Sequence, residues 1–500
     1  MSPTEVPPPN ILLITTDQQR WETFGPFKPS FMQTPHLDNL AYDGVSFRYA
    51  YVNCPTCVAS RTSIMTGQSA FTHRMGVNGK TSEYFGEART LPTVLKSVGY
   101  HTALIGKAHF HPQYNRHGFD DFFVLDDYYK WIADKGFPGG GRLHGLGENE
   151  LYATLATVPE RLSITSWITE TAADYLMRRR DPLKPWFLWV SYSKPHPPID
   201  PPEPYYSMYQ RSAIPPPIRS DWSEDPARVP HFIRRRQLAF NFEAIAPEVL
   251  ARAKAGYYGM ITQIDHNIGR LWAAIKDTGP HEQFTIEDNT LTLFTSDHGE
   301  LFGDHLDGAK GSCLDGSARV PFILRTPRTW KSRRHRGEIC DVPVTPADIL
   351  PTCAAAAGAE IPEGVEGINL LEMIERPPSE RSVIFGANFT KDQPEQISWA
   401  ALFDGQHKYA WHFADGRELL FDLSADPLEQ QNLTGDAHAE LCERLRGDLE
   451  ARLRPLNEGR YLRDGKLWQH KKPPVIDEKA ARGLSFPGNM RDDHPSCARH

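Results

Sequence analysis

The feature that most limits the fold is the alternation of short apolar segments with longer helical segments along most of the chain. Each apolar segment has the length and composition of a strand that is buried on both faces. These segments are ILLIT (11–15), TALIG (102–106), WFLWVSY (186–192), TLTLFTS (290–296) and VPFILRT (320–326). Helical segments begin at Thr90, at Thr165 and near Val249. This order predicts an α/β fold whose large, mainly parallel or mixed sheet is sandwiched by helices.

The pattern changes near residue 376, where the apolar segments become shorter and are joined by turns. The segments SVIFGANF, WAALFDG, HKYAWHFA and ELLFDLSADP precede a helical segment at about residues 437–453. They predict a short antiparallel sheet accompanied by a helix. We therefore divide the chain into an α/β domain at residues 1–375 and a smaller C-terminal α+β subdomain at 376–500, which ends in a polar tail.

Polar residues follow four of the predicted strands within a few positions. They are Asp17, Lys107, His196 and Asp297. In parallel sheets of this kind, functional sites form at the carboxyl ends of the strands. We therefore expect these four side chains to lie close together in one site.

Composition and charge narrow the classes of protein to which this chain can belong. The formal net charge of −8 argues against a nucleic-acid partner. No segment reaches the roughly 18 apolar residues that span a bilayer, so we expect no membrane segment. The start MSPTEVPPPN lacks a basic region followed by an apolar one, which argues against a signal peptide. Seven thinly spread cysteines do not suggest a disulfide framework, and we expect a cytoplasmic protein.

Two cysteines lie in the segment NCPTCVASRTSIMTG (53–67), and three interpretations of them are open. A redox pair of the thioredoxin type opens a helix in a small βαβ unit, whereas this segment belongs to a much larger fold. A structural zinc site needs four ligands, usually with a second close pair, and the other cysteines are solitary. The third interpretation uses Cys57 alone, together with Arg61.

The segment CVASR (57–61) resembles the Cys-x-Pro/Ala-x-Arg core of the type I sulfatases, a family of the alkaline phosphatase superfamily. In that family a formylglycine-generating enzyme oxidises the cysteine to Cα-formylglycine (3-oxoalanine). Cys54 has no arginine four residues later, so only Cys57 fits, and the following TSIMTG resembles the family's continuation. Further motifs occur in family order between about residues 10 and 430. The resemblance implies an alkaline phosphatase-like fold and a sulfuric ester hydrolase whose catalytic domain is the α/β domain.

A hydrated aldehyde suits such a reaction better than a thiol does. The anionic sulfate group of a monoester repels nucleophiles, and a sulfate bound to sulfur would need a second difficult displacement. The hydrate offers an oxygen nucleophile, and its other hydroxyl, once deprotonated, re-forms the carbonyl and expels sulfate. Covalent catalysis thereby divides the reaction into two easier steps.

An anionic substrate calls for concentrated positive charge, which a divalent cation supplies. The metal ligands that the resemblance implies are Asp17, Gln18, Asp297, His298 and the modified Cys57. Many sulfatases have a second aspartate where this chain has Gln18, so the site loses one negative charge, while His298 adds a nitrogen. Oxygen ligands favour Ca²⁺ or Mg²⁺, and an imidazole favours Mn²⁺. We expect Ca²⁺, with Mn²⁺ or Mg²⁺ as the alternatives.

The resemblance also implies roles for basic residues around the sulfate. Lys107 is implied to bind sulfate, and His109 to act as the base on the second hydroxyl. His196 is implied to protonate the leaving-group oxygen, and Lys310 to bind sulfate and assist that departure. Arg61 is implied to hold the nucleophile and the metal ligands with its permanently charged guanidinium.

Two other functions stay open at this point. A phosphonate monoester or phosphodiester hydrolase of the same superfamily uses the same nucleophile and resembles this chain in its Asp-Gln and Asp-His pairs. Such enzymes typically lack the Lys-x-His pair, so Lys107 and His109 favour a sulfate ester. The other alternative is a non-catalytic, metal-binding homologue that never receives the aldehyde.

The substrate that we expect is a small-molecule aryl or alkyl sulfate ester. Its pocket would be lined by aromatic residues, which could equally be core or interface residues: Trp21, Phe24, Tyr84, Phe85, Tyr128, Tyr129 and Trp131. Asn78 matches an asparagine that contacts substrate in bacterial sulfatases. The resemblance further implies a homo-oligomer, a dimer or a tetramer, for which the C-terminal tail is a candidate contact.

Overall fold

The computed structural model describes residues 7–76, 85, 89–277, 285–330, 335–387, 399–456, 459–470 and 475–483. Across these residues, eight strands form one large sheet. In chain order the strands are β1 (Asn10–Asp17), β2 (Val45–Phe47), β3 (His101–Gly106), β4 (Asp121–Val124), β5 (Trp186–Pro195), β6 (Thr290–Ser296), β7 (Phe322–Arg325) and β8 (Glu338–Cys340). Side by side, they follow the order β4-β3-β5-β1-β6-β7-β2-β8.

The larger part of this sheet, from β4 across to β6, is parallel. At the centre, Leu12 of β1 lies beside Leu188 of β5 and Thr292 of β6. Strand β7 runs antiparallel to both β6 and β2, and β8 is parallel to β2. The predicted α/β class is confirmed, and the mixed part of the sheet is confined to the edge formed by β7, β2 and β8.

Helices cover the sheet and connect its strands. They are α1 (Pro35–Asp43), α2 (Cys57–Thr66), α3 (Ala70–His73), α4 (Leu91–Lys96), α5 (Leu125–Asp134), α6 (Ile164–Asp174), α7 (Tyr205–Met208), α8 (Asp221–Glu224), α9 (His231–Phe240), α10 (Pro247–Asp277), α11 (Asp315–Ala318), α12 (Ile349–Ala357), α13 (Leu370–Glu375), α14 (Ala439–Leu453) and α15 (Glu478–Ala481). Helix α6 continues directly into a π-helical turn at Tyr175–Arg179.

Strand β1 shows why helices are needed on both faces of the sheet. Its side chains alternate, so Leu12 and Ile14 pack on one face while Ile11 and Leu13 pack on the other. The first face is covered by α6 and α10, and the second by α2, α4 and α12. A strand without an exposed face is apolar throughout, which is what made ILLIT recognisable in the sequence.

Helix α10 is the long amphipathic helix that the sequence predicts at about residues 249–279, and it is observed at Pro247–Asp277. Ile264, Ile268, Leu271 and Ile275, three or four positions apart, are fully buried against the sheet. Burial of each isoleucine contributes about 1.5–3 kcal/mol. The helix therefore anchors one whole layer of the fold.

The C-terminal part forms the short antiparallel sheet that the sequence predicts. Its strands are β9 (Val383–Ala387), β10 (Trp399–Phe403), β11 (His407–His412) and β12 (Glu418–Asp422), in the order β12-β11-β10-β9, with α14 packed on β10 and β11. A small ribbon, β13 (Leu462–Arg463) with β14 (Lys466–Leu467), follows. Tyr51 stacks on Phe385 with ring centroids 4.9 Å apart, so the small sheet shares a core with the α/β part. The boundary between residues 375 and 376 stays a prediction.

A buried group of charges also joins the two parts of the chain. Lys408 of β11 contacts Asp315 Oδ1 at 2.6 Å and Glu429, and all three side chains are almost inaccessible to solvent. Asp315 further accepts hydrogen bonds from Tyr51 at 2.6 Å and Arg319 at 3.0 Å. We call these five residues the junction cluster.

The proline-rich segment 195–209 is more regular than its composition suggests. Strand β5 continues to Pro195, and Tyr205–Met208 form helix α7, where we expect only a long loop. Helix α7 is held against α10 at Gly259, where an added Cβ would lie 2.2 Å from the Tyr205 carbonyl oxygen. Elsewhere, no described helix is both long and apolar enough to cross a membrane.

Candidate active site

Four neighbouring strands bring the predicted polar residues together. Asp17 ends β1, Lys107 follows β3, His196 follows β5, and Asp297 follows β6. These strands are adjacent in the order β3-β5-β1-β6 and parallel, so their carboxyl ends meet at one edge of the sheet.

Cys57 is the first residue of α2 and is fully buried at this edge. Its Sγ lies 3.1 Å from His298 Nε2, 3.1 Å from Lys310 Nζ and 4.0 Å from Asp17 Oδ1. The N-terminus of a helix carries partial positive charge, which favours an anion beside it. The cysteine singled out by the sequence thus sits among the residues predicted to work with it.

A group of buried donor atoms surrounds this thiol. One ligand atom from each of Asp17, Cys57, Asp297 and His298 lies within 4.8 Å of the others. His298 Nδ1 donates to the Gly299 carbonyl at 2.9 Å, so its Nε2 lone pair faces Cys57. Two buried carboxylates with one imidazole are a donor set that fits a divalent cation.

Arg61 lies one helical turn after Cys57 and is completely buried. Its Nε donates to Asp297 Oδ2 at 2.9 Å, and Nη2 lies 3.6 Å from Asp17 Oδ2. Its Nη1 donates to the Lys107 carbonyl at 2.6 Å. The guanidinium therefore fixes both carboxylates and ties α2 to the end of β3.

Two lysines and a histidine complete the positive side of the site. Lys107 forms an ion pair with Asp17. Lys310 Nζ contacts Gln18 Oε1 at 3.2 Å and His196 Nε2 at 2.8 Å. His196 Nδ1 donates to the Pro197 carbonyl at 2.8 Å, so its Nε2 accepts the proton that Lys310 donates.

The two carboxyl groups respond differently to their surroundings. Burial alone would raise the pKa of Asp17, but attraction to Lys107 and Lys310 holds it well below its usual value. For Asp297, burial and the charge of Asp17 raise the pKa to about 6. A carboxyl pair of this kind holds a proton readily unless positive charge is added to the site.

The thiol and the histidines respond to the same field. Burial and Asp17 oppose ionisation of Cys57, yet Lys310, Lys107 and His298 lower its pKa well below that of a free thiol. Burial, with Lys310, lowers the pKa of His196, which is therefore neutral. Burial lowers the pKa of His109 as well.

Backbone strain is concentrated at this edge. Gln18 and His109 have φ angles of 72° and 57°, a left-handed conformation that L-residues rarely adopt. The Gln18 carbonyl accepts a hydrogen bond from the Tyr257 hydroxyl at 2.7 Å. His109 hydrogen-bonds Cys57, while its buried Nδ1 has no partner in the described part of the chain.

A cavity of about 430 Å³ opens beside these residues and is lined by Lys107, His109 and His196. A larger cavity, of about 1190 Å³, lies between the α/β part and the C-terminal sheet, near Asn53 and Arg452. The smaller one is the candidate substrate pocket because it adjoins the reactive cluster.

The structure separates the aromatic residues considered for this pocket. Tyr128 and Tyr129 line the cavity. The other described ones pack elsewhere: Trp21 against Arg319, and Phe24, Phe85 and Trp131 in or against the hydrophobic cores. Tyr84 and Asn78 lie outside the described residues. Of the two possibilities left open by the sequence, the pocket therefore holds for Tyr128 and Tyr129, and the interior for most of the other described rings.

Three residues that the sequence analysis missed also shape the site. Ser191 accepts a hydrogen bond from Arg61 at 2.7 Å and donates one to the Lys107 carbonyl at 2.6 Å. Tyr257 holds the Gln18 backbone, and Glu300 holds the Gln18 side chain. Ser191 interrupts an apolar strand, and Glu300 directly follows the Asp-His-Gly motif. Both residues could therefore have been identified from the sequence as candidates for the site.

Comparison with known proteins places this arrangement in a family. A family model described as Sulfatase matches residues 9–359. The chain belongs to the sulfatase family. This sulfatase is 35% identical to the arylsulfatase of Clostridium perfringens (strain 13 / Type A) over 487 residues, which cover 92% of this chain and 97% of the relative. It is therefore a sulfatase enzyme of the alkaline phosphatase superfamily, as the motifs predict.

Two further comparisons relate this sulfatase to proteins that are not named sulfatases. This sulfatase is 32% identical to the multifunctional alkaline phosphatase superfamily protein PehA of Trinickia caryophylli, over 86% of this chain and 92% of the relative. Its fold matches the phosphonate monoester hydrolase of Agrobacterium radiobacter with a TM-score of 0.72 and 25% identity, covering 90% of this chain and 95% of that one.

Proposed function

We propose that this sulfatase hydrolyses a small aryl or alkyl sulfate monoester, with Cys57 converted to formylglycine as the nucleophile. The observation that carries the proposal is the position of Cys57 Sγ, 3.1 Å from both Lys310 and His298 and beside Asp17. The sulfur marks where the oxygens of a hydrated aldehyde would lie. A nucleophile held there meets positive charge on one side and metal ligands on the other.

Asp17, Gln18, Asp297, His298 and residue 57 would hold one divalent cation, for which we favour Ca²⁺ over Mn²⁺ and Mg²⁺. When bound, the cation supplies positive charge that offsets the negative charge of the sulfate group. Buried carboxylate and amide oxygens favour Ca²⁺, because hard cations prefer oxygen ligands. The single imidazole of His298 is the reason why Mn²⁺ stays the nearest alternative.

The chain's own residues divide the remaining work. A hydrated aldehyde supplies an oxygen nucleophile and a second hydroxyl whose deprotonation releases sulfate. Lys107 and Lys310 offset charge on the sulfate, since both ammonium groups lie in this largely buried cluster. His109 is neutral and hydrogen-bonds residue 57, so the ring nitrogen that faces this residue can accept the proton of that second hydroxyl.

The contacts of His196 refine the expected role of this residue. His196 is neutral and accepts from Lys310, so the proton for the leaving oxygen is stored on the lysine of this pair. We assign Lys310 as the proton source and His196 as the group that orients it toward the leaving oxygen. General acid assistance of this kind contributes about 10²–10⁴-fold to the rate.

The pocket itself favours a small leaving group with some polarity. Arg142 donates to the Tyr129 hydroxyl at 3.0 Å and to Glu148 at 2.9 Å, and all three residues line the cavity. On the same wall, Lys194 forms an ion pair with Asp200. A cavity of about 430 Å³ can hold a phenol-sized alcohol against the tyrosine ring.

The proposal is tested with protein made in a host that contains a formylglycine-generating enzyme. Mass analysis of the Cys57 peptide should show aldehyde, and aryl sulfate hydrolysis should scale with the aldehyde fraction. Cys57→Ala should abolish both, whereas Cys54→Ala, the matched control in the same motif, should retain both. Aldehyde-containing protein with no activity on a panel of sulfate esters would refute the proposed reaction.

A phosphonate monoester hydrolase is the second candidate, because the chain resembles PehA and shares its fold with a phosphonate monoester hydrolase. The measurement that separates the two is kcat/KM for an aryl sulfate against an aryl phosphonate monoester with the same leaving group. We expect the sulfate to be preferred, because Lys107 and His109 form the Lys-x-His pair that phosphonate hydrolases of this kind typically lack. The cytoplasmic location and the oligomeric state remain predictions.

A further inference from the structure

Gln18 differs from a carboxylate in one respect that matters for metal binding. Its amide has two unlike ends, and only the oxygen end can bind a cation. A free glutamine side chain presents either end, since the terminal torsion is soft. Some other group must therefore decide which end faces Asp17, Asp297 and His298.

The neighbours of the Gln18 side chain make that decision. Lys310 Nζ donates to Oε1 at 3.2 Å, and Nε2 donates to the buried Glu300 carboxylate. Turning the amide over would set NH₂ against an ammonium group and oxygen against a carboxylate. Only the observed orientation satisfies both neighbours.

Glu300 also controls the loop that carries Lys310. Its Oε1 accepts backbone hydrogen bonds from Phe302 at 2.9 Å and Ala309 at 2.8 Å. Both of these residues have positive φ angles, 50° and 55°. One carboxylate thus fixes the amide end of Gln18 and closes the strained loop before the lysine.

We propose that Glu300 is a positioning residue that directs the oxygen of the Gln18 side-chain amide toward the metal site. Glu300, which contacts the nitrogen end of this amide, also supplies the carboxylate that this site lacks at position 18. The inference rests on the proposed metal site of the sulfatase reaction. It explains how a glutamine can stand where many sulfatases have an aspartate, because the neutral amide is backed by a negative group.

The test measures Ca²⁺ and Mn²⁺ binding to the metal-free, full-length protein by titration calorimetry, which needs neither turnover nor aldehyde. Glu300→Gln should weaken binding by about 10–100-fold, the range found when an outer partner of a metal ligand is lost. The exchanged variant Gln18→Glu/Glu300→Gln should recover most of that loss, because the carboxylate at 18 then accepts from the amide at 300.

Glu450→Gln is the matched control, since Glu450 is also buried and accepts a backbone hydrogen bond, from Leu467 at 3.0 Å, in the C-terminal part. It should leave cation affinity unchanged. If Glu300→Gln lowers the unfolding temperature but binds cations like the wild type, or if the exchange recovers nothing, Glu300 only braces the loop and the inference is overturned. Wild-type protein that binds cations but hydrolyses no sulfate ester would refute the proposed reaction alone.

Discussion

Among the described residues, Lys408 is the only cation that contacts both Asp315 and Glu429 of the junction cluster. Replacing Lys408 with methionine therefore tests that cluster. Methionine keeps much of the volume and removes the charge. Asp315 would keep Arg319 and Tyr51 as partners, whereas Glu429 would keep only the backbone amide of Asp315, at 2.8 Å. The variant therefore leaves one buried carboxylate largely without compensation.

The expected cost follows from this loss. Removing one partner of a buried ion pair costs about 3–5 kcal/mol, because the other charge stays buried. Burial, aided by Asp315, already raises the pKa of Glu429 to about 7 despite Lys408. Without the lysine that pKa rises further. At pH 8 the wild-type carboxylate is ionised and paired with Lys408, whereas at pH 6 Glu429 holds a proton in both proteins. We therefore expect the full loss at pH 8 and a smaller one at pH 6.

The free energy of unfolding, from urea titrations followed by tryptophan fluorescence at both pH values, measures this effect. Lys466→Met is the matched control, because Lys466 also pairs with a buried glutamate but has a side chain that is 77% exposed. It should cost no more than about 1 kcal/mol. Adding Glu429→Gln to Lys408→Met should recover part of the loss. A cost below about 1 kcal/mol for Lys408→Met at pH 8 would show that the junction cluster does not stabilise the fold.

The remaining predictions concern the candidate active site, the core and one exposed helix position. Arg61→Lys should lower kcat by about 100-fold, because an ammonium cannot reproduce the contacts of the guanidinium with both carboxylates; a kcat within threefold would contradict this. In the folded protein, burial lowers the pKa of His73 to about 3, whereas in the unfolded chain this pKa is near 6.5. The stability that neutral His73 contributes is therefore present above about pH 6.5 and is lost as the pH falls. Between pH 7.5 and 5.5 the wild type should lose about 1.4 kcal/mol more than His73→Gln, measured by urea unfolding at each pH, and equal losses would refute the assignment. Gly259→Ala should destabilise by about 1–3 kcal/mol, since its Cβ would meet the Tyr205 carbonyl. Gly447→Ala on α14, where an added Cβ would meet no atom within 4 Å, should stabilise the protein by about 0.5–1 kcal/mol. Thermal denaturation measures both glycine variants.

The sheet and the strand-end residues could be predicted because each depends on local sequence. A strand buried on both faces is apolar throughout, and a polar residue directly after it is then conspicuous. Parallel pairing brings the ends of β1 and β6 together, so Asp17 and Asp297 could be assigned to one site before the structure was known. The antiparallel β7 resembled its neighbours, since strand direction leaves no mark on so short a segment.

The missed residues depend on tertiary packing instead. Tyr257 lies on a helix whose apolar pattern already explained it, and its hydroxyl contact with Gln18 requires α10 to cross the end of β1. Trp21 and Phe24 illustrate the opposite error, because an aromatic residue near a motif can face the core as easily as a pocket. Sequence spacing does not distinguish these directions.

Helix α2 has consequences for the order of events during biosynthesis. Every residue from Cys57 to Thr66 is buried, with Val58 and Ala59 in the core shared with the C-terminal sheet and Ile64 and Met65 beneath the large sheet. In the described part of the chain no residue of this helix is exposed, so the oxidising enzyme of the proposed function would need to reach the CVASR segment before the fold closes. The proposed maturation of Cys57 would therefore precede closure of both cores, and slow-folding nascent chains should then carry more aldehyde than chains that collapse early.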